Sequence, residues 1–424
     1  MLNFTFLKRP KTVFFTVSIL SGIFTAFYIV FDIWVLDSFE INPVVYGLYS
    51  EWVGIIIGFI LLLILSIIKV KTPIGTKRPL GDLFDPDFKK IIMPNKDRMK
   101  HFAILAITGI IGGFNALFYF LAADIVDSSI MQPLLQFVTL YLLIIEVILI
   151  EKEFPTVIEI LAIINIVVGG MLLTITPNLS ADSIIGILFV LGPINISQMI
   201  MTTLLQKLRK TPLPNGDFMD ALNIRFWVVL FMAFSLTAFS VPFFNNEFFH
   251  EIISSFSVMI MASGFSMTMA FFAYILYIRA LAMWKASMVN AVTSVSVVFS
   301  TFLTVIFEHF ELFSTNLDFS PFIWVLKIIG TFLVVLGIIV ISVSDVKTYI
   351  LLKCHVGRVK DVILALEKVR FTSITLCSGK FDIICYLNIR SIGRINSLLV
   401  KRIERIDGIS NIQTVTVLKK WERF

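Results

Sequence analysis

The sequence predicts an all-α polytopic membrane bundle of ten transmembrane helices, arranged as an inverted 5+5 repeat, followed by a small C-terminal α+β domain. Three observations predict it. The apolar residues fall in blocks long enough to cross a bilayer. The basic residues alternate between successive connections. The periodicity changes after Asp345.

The chain is 58% hydrophobic and 15% charged, with a mean hydropathy of +0.93. Soluble chains carry about 25% charged residues. The apolar blocks predict spans at 12–36, 43–68, 101–122, 128–150 and 155–176, then at 183–205, 221–243, 254–278, 286–307 and 321–344. Each approaches or exceeds the roughly 20 residues needed for about 30 Å of hydrocarbon. The first block is too long for the apolar core of a signal peptide, and no small-residue cleavage site follows it.

Lysine and arginine orient the spans. The connections 37–42, 123–127, 177–182, 244–253 and 308–320 contain neither. They carry carboxylates instead, among them Asp37, Asp124, Glu251 and Glu311. The other connections hold Lys8 and Arg9, the cluster from Lys69 to Lys100, Lys152, Lys207, Arg209, Lys210, Arg279 and Lys285. Lys327, inside the tenth span, departs from the pattern. The alternation predicts a multi-pass protein of the cell membrane with both termini cytoplasmic.

An offset of 157 residues aligns Ala123 with Ala280, Met131 with Met288 and Glu151 with Glu308. The fifth and tenth spans share small residues seven apart, Ala162 with Gly169 and Gly330 with Gly337. A repeat of five spans is odd, so the second copy is expected inverted. Such repeats commonly place a substrate site between their halves near the bilayer midplane. The expected domains are 1–177 and 178–346 for the two halves and 347–424 for the tail.

The repeat also predicts cavity-facing sides. Gln132, Gln136 and Thr139 recur at helical spacing on the fourth span. Asn290, Thr293, Ser296, Ser300 and Thr304 do so on the ninth, and the offset overlays Gln136 on Thr293 and Thr139 on Ser296. Ser18, Ser21, Thr25, Tyr28 and Asp32 form a stripe on the first span; Asn195, Gln198 and Thr202 form one on the sixth. Such stripes face a bundle interior, either as a hydrated substrate path or as helix–helix contact. The amides Gln136, Asn195 and Gln198 favour the path.

Intramembrane charge is costly and marks candidate sites. Glu51 is the deepest carboxylate of the outer half. It reads as a coupling or cation-binding group, or as a structural carboxylate bonded to a neighbouring helix. Glu146 is about one turn from its helix end. Asp32 lies near the outer end of its span, and Lys327 can reach the surface along its stem. These three are left out of the expected site.

No catalytic constellation appears. His101, His250, His309 and His355 lack metal-ligand spacing, no phosphate-cradling glycine loop is present, and no cofactor or metal is expected. Cys354, Cys377 and Cys385 sit in the tail, on the side where disulfides are unexpected, and read as small core residues.

Two five-span halves, basic residues inside, and the helix-ending Glu151 and Glu308 resemble the EamA family of the drug/metabolite transporter superfamily. The stretch Ala280-Leu281, Ala286-Ser287 to Glu308 is similar to its fourth-span signature, over about 345 residues in all. The proline common midway in that signature is absent from the second half, and Pro133 sits early in the first. The resemblance implies a ten-helix carrier with a central cavity, moving amino acids or other small metabolites, often outward.

In the tail, Thr348–Val356, Phe371–Cys377, Phe381–Ile389 and Ile409–Leu418 read as strands. Val359–Val369 and Ser391–Ile406 read as amphipathic helices. The order βαββαβ is the ferredoxin-like unit. Tyr349-Ile350-Leu351-Leu352-Lys353, Ser378-Gly379-Lys380-Phe381-Asp382 and Ile406-Asp407-Gly408-Ile409 resemble the effector-binding domain of the Lrp/AsnC regulators. That resemblance implies ligand binding or homodimer pairing at Gly379, Phe381 and Asp382. No DNA-binding helix-turn-helix precedes it. A basic tail beside a bilayer meets anionic lipid rather than nucleic acid. The sequence thus predicts a secondary transporter with a small-molecule substrate and an amino-acid-sensing or dimerising tail. The alternative is a membrane receptor or scaffold with no transport cycle.

Overall fold

The structure is a computed structural model. It describes residues 10–71, 77–126, 128–145, 157–173, 181–310, 321–343, 346–366, 373–389, 403 and 406–416. The chain divides into two compact units, one holding 1–154 and 162–339, the other 155–161 and 340–424.

The first unit is helical. Its elements are α1 Pro10–Phe39, α2 Pro43–Ile67, α3 Met99–Ala123, α4 Ser128–Leu135, α5 Val138–Ile144 and α6 Val157–Leu173, whose first turn falls in the second unit. They continue with α7 Ala181–Phe189, α8 Asn195–Lys210, α9 Ala221–Ser240, α10 Asn246–Ser254, α11 Phe256–Met283, α12 Ala286–Thr293, α13 Val295–His309 and α14 Pro321–Val343, whose last residues also fall in the second unit. A short hairpin, β1 Lys69–Lys71 with β2 Lys77–Pro79, follows α2.

Local chemistry sets several helix starts. The Asn42 side chain accepts from Val44 N while Pro43 opens α2, and the Asp220 side chain accepts from Asn223 N at the start of α9. Both spare a backbone donor that the first helical turn leaves unpaired.

Among the described residues, seven segments are long and apolar enough to cross a membrane: Thr12–Phe39, Pro43–Ile67, Lys96–Ala123, Ser183–Lys210, Ala221–Phe243, Phe256–Met283 and Ala286–Phe307. They coincide with seven of the expected spans. At the fourth, fifth and tenth places lie the shorter pair α4 and α5, then α6 and α14. Glu146 and Glu151 lie outside the described residues.

The helices are apolar outside and polar or small inside. On α2, Ile56, Phe59, Ile60, Ile64 and Ile67 are exposed, whereas Ser50, Glu51, Gly54 and Gly58 are buried. A water-soluble helix has the opposite pattern, so the outer face suits hydrocarbon. The chain is a multi-pass membrane protein.

Close helix packing follows from small residues. α3 lies along α9, and α1 along α11. A Cβ on Gly113 would fall 2.7 Å from Leu236 N and 2.8 Å from Met232 O. A Cβ on Gly169 would meet Gly330 O at 2.6 Å, and one on Gly337 would meet Ala162 O at 2.6 Å. The small residues singled out on the fifth and tenth spans therefore face one another, Ala162 opposite Gly337 and Gly169 opposite Gly330. The two helices run antiparallel there.

The second unit holds β3 Val346–Cys354, α15 Val359–Leu366, β4 Ser373–Leu376, β5 Ile383–Ile389 and β6 Ile409–Thr416. The strands form one antiparallel sheet in the order β4-β5-β3-β6. Ile350, Leu352, Cys354, Ile383 and Cys385 alternate onto one face and bury against Val362 and Leu366 of α15. Of the three cysteines expected in the core, Cys354 and Cys385 are buried there while Cys377, in the turn after β4, is only half-buried; burial pushes the Cys385 thiol up to about 12. The helix expected at 391–406 lies almost wholly outside the described residues.

Candidate functional site

The fourth and ninth of the ten expected spans are interrupted. The fourth breaks after Leu135, where Pro133 lacks a backbone donor and Gln136 N and Phe137 N bond back only three residues, to Pro133 O and Leu134 O. The ninth breaks after Thr293. There the Thr293 hydroxyl bonds Asn290 O and the Ser294 hydroxyl bonds Ala291 O. The offset of 157 carries one break onto the other, and it carries α3 onto α11. α12 packs on α5 and α13 on α4, so the two interrupted helices face each other.

Both breaks border one cavity of about 130 Å³, roughly ten times what one water requires. Thr25 and Tyr28 of α1, Gln132 and Gln136 of the fourth span, Gln198 of α8, and Asn290, Thr293 and Ser296 of the ninth all line it, as does Glu51 of α2. Gln136 Nε2 donates across it to Ser296 Oγ at 3.3 Å, joining the two breaks directly.

Two expected residues do not line it. Asn195 turns its Nδ2 to Leu134 O at 2.9 Å and Val190 O at 2.7 Å, adding a second donor to carbonyls at the break and at a neighbouring wide turn, Val190–Ile194. Thr139 is buried, but its N bonds Gln136 O three residues back. That tighter turn ends the helical phase that would have placed Thr139 under Gln136.

Four further residues at the cavity were outside the expected site. Asp32 is fully buried and accepts from Tyr46 Oη at 2.7 Å, Tyr119 Oη at 3.1 Å and the Ser266 hydroxyl. Tyr274 stacks on Tyr28 with ring centroids 6.5 Å apart. Asn115 donates to Ile194 O and Ser197 Oγ. Arg225, near the start of α9, is 4% exposed, and its guanidinium carbon lies 4.1 Å from the Tyr274 ring centroid. Its signal was readable: a single arginine inside an apolar span.

Several polar atoms at the cavity have no partner among the described residues: Glu51 Oε2, Arg225 Nε, and both amide atoms of Gln132. The reading of Glu51 as a carboxylate bonded to a neighbouring helix finds no donor for Oε2. Buried polar groups left so are costly unless water or a ligand meets them. Toward one end, Tyr277 Oη bonds Thr202 Oγ1 at 2.8 Å and accepts from Asn290 Nδ2 at 2.9 Å.

In the second unit, Asp382 Oδ2 accepts from Cys354 N at 2.8 Å, and its own N donates to Leu352 O. It clamps the end of β3 to the start of β5. Gly379 has φ +148 in the turn before it, a conformation side chains rarely adopt. The Lys380 ammonium lies 5.9 Å from the Phe381 ring centroid.

No protein-family profile and no curated protein matches the chain. A solved structure described only as "Crystal structure of protein" is 12% identical, with a TM-score of 0.45, over 79% of this chain and 97% of that one. Fold and site together define a multi-pass membrane protein with a cavity between its helices, lined by polar and apolar side chains.

Proposed function

We propose that the chain is a secondary transporter that moves amino acids or other small metabolites across the cell membrane, as an exporter. The observation that carries this reading is the convergence of polar side chains from both halves, at matching helix breaks, on one cavity. Broken helices lining a cavity are how transporters expose backbone groups to cargo within a bilayer.

In this reading the membrane part has ten spans in two inverted halves, with α4 and α5 together, α6 and α14 completing the count. The antiparallel facing of α6 and α14 through paired small residues supports the inverted relation. Both termini are cytoplasmic, on the basic side. The likeness to the EamA family belongs to this proposal. So does that of the tail to the Lrp/AsnC effector domain, which the strand order β4-β5-β3-β6 supports as ferredoxin-like. The tail pairs subunits or senses an amino acid. If it binds that ligand better in one carrier state, it shifts the populations by that difference.

The test is flux in proteoliposomes over a panel of amino acids and metabolites. Wild-type protein moves at least one of them, and Gln136→Leu with Thr293→Leu abolishes that flux while the protein remains folded. Saturable binding by the tail with no flux of any solute would make the chain a receptor instead.

A further inference from the structure

We infer that the cavity selects a small dipolar ion, with the negative group of the cargo held at Arg225 and the positive group at Glu51. This rests on the carrier reading above and adds the charge that the carrier reads.

Three charged side chains reach the cavity: Asp32, Glu51 and Arg225. Asp32 is already engaged by three hydroxyl donors, which take most of its roughly four acceptor sites. Glu51 and Arg225 differ. They are 5% and 4% exposed, each has a polar atom without a protein partner, and neither forms an ion pair within 4.0 Å with a described residue. A buried lone carboxylate and a buried lone guanidinium are each expensive. Sharing one cavity, they would pair if they could meet.

The packing of α2 on α9 keeps them apart. A Cβ on Gly54 would lie 3.6 Å from Val229 Cγ1, and one on Gly58 would lie 3.9 Å from Phe226 Cδ2. The helices therefore run antiparallel, with Glu51 about a turn beyond the Gly54 level and Arg225 about a turn beyond Val229 in the other direction. At about 1.5 Å per residue the two backbones are offset by roughly 10 Å along the seam. Two long side chains reaching inward across that offset leave room for a small molecule between their charged ends.

A ligand with one negative and one positive group meets both charges at once. A ligand with a single charge leaves the other buried and bare, which is selection by an unpaired charge. Arg225 also presents a suitable surface. Its flat face lies toward Tyr274, which leaves the guanidinium edge free for two parallel bonds to a carboxylate.

The test uses the full-length protein, with thermal shift in detergent and counterflow in proteoliposomes. The probes are matched triplets: leucine, 3-methylbutylamine and 4-methylpentanoate, then phenylalanine, 2-phenylethylamine and 3-phenylpropanoate. At least one amino acid should bind at least 10-fold more tightly than both of its singly charged analogues. Arg225→Met should erase the preference over the amine, and the near-isosteric Glu51→Gln should erase the preference over the acid. Arg225→Lys should keep part of it. An amine or acid that matches its amino acid would overturn the inference. So would unchanged selectivity in folded Glu51→Gln and Arg225→Lys proteins. Flux of other solutes with no amino-acid preference overturns the dipolar assignment and leaves the carrier reading standing. No flux of any solute overturns the carrier reading and this inference with it.

Discussion

In the first of the two interrupted segments bordering the cavity the helix breaks after Leu135, two residues beyond Pro133, which has no backbone donor. In the second half the matching helix breaks after Thr293 with no proline, and hydroxyl groups of Thr293 and Ser294 take the carbonyls of Asn290 and Ala291. The neighbours differ in the same way. Asn195 reaches from α8 to bond Leu134 O beside the first break. Beside the second, α1 comes so close at Gly22 that a Cβ there would lie 2.6 Å from Thr293 O. One break is held by a polar bond and the other by bare backbone proximity. Related geometry thus arises from chemistry that shares almost no residue types, so the offset of 157 shows more in the positions of the breaks than in residue identity.

Four substitutions probe that contrast. The largest effect is expected at Gly22→Leu. Its side chain has no space beside Thr293 O and Val295 Cγ1, and overpacking costs about 1–3 kcal/mol or more. The thermal midpoint in detergent should fall sharply, with Gly22→Ala milder. Tolerance of leucine would mean α1 does not need close approach. Asn195→Leu comes next. It removes two buried side-chain bonds, to Leu134 O on another helix and to Val190 O, at about 1–3 kcal/mol together, although both carbonyls keep backbone donors in Phe137 N and Asn195 N. A smaller loss, about 1 kcal/mol, is expected for Thr293→Val with Ser294→Ala, because both hydroxyls bond carbonyls three residues back in their own helix and join no second helix. A loss equal to that of Asn195→Leu would erase the contrast between polar and steric support.

The smallest effect concerns the caps. α2 is capped by the neutral Asn42, and α9 by Asp220, whose carboxyl burial pushes from 3.8 up to about 6 against the pull of its bonds from Asn223. The fold therefore favours the protonated form. Asp220 subtracts stability as pH rises from about 4 through 6 and imposes no such penalty below that window. Asp220→Asn should flatten this part of the midpoint-against-pH curve, while Asn42→Ala should leave its slope unchanged. Parallel curves for wild type and Asp220→Asn would remove Asp220 from the account.

The apolar blocks were legible because hydrocarbon demands length and composition, and seven of them are helices long enough to cross. The polar stripe Gln132 and Gln136, and its counterpart Asn290, Thr293 and Ser296, were legible because spacing places them on one face. Thr139 was misread because its turn is tightened by the break, and a periodic pattern assumes an unbroken helix. Asn195 does not line the cavity because a buried amide can bond a neighbouring helix carbonyl as readily as face a cavity, and only the packing decides. Asp32 was set aside for its place near a helix end, yet the hydroxyls that hold it, from Tyr46, Tyr119 and Ser266, come from three other helices. Arg225 was overlooked, although a lone arginine in an apolar span is itself a signal. Its place over Tyr274 and in the same cavity as Glu51 is visible only in the packing.

The most direct measurement asks whether both halves contact one cargo. Single cysteines at Gln132→Cys and at Asn290→Cys, in protein with Cys354, Cys377 and Cys385 replaced by alanine, would be alkylated in membranes by a small water-soluble maleimide. Transported solute should protect both positions over the same concentration range. Protection of one position alone, or of neither by a solute that is transported, would contradict a substrate site shared between the halves.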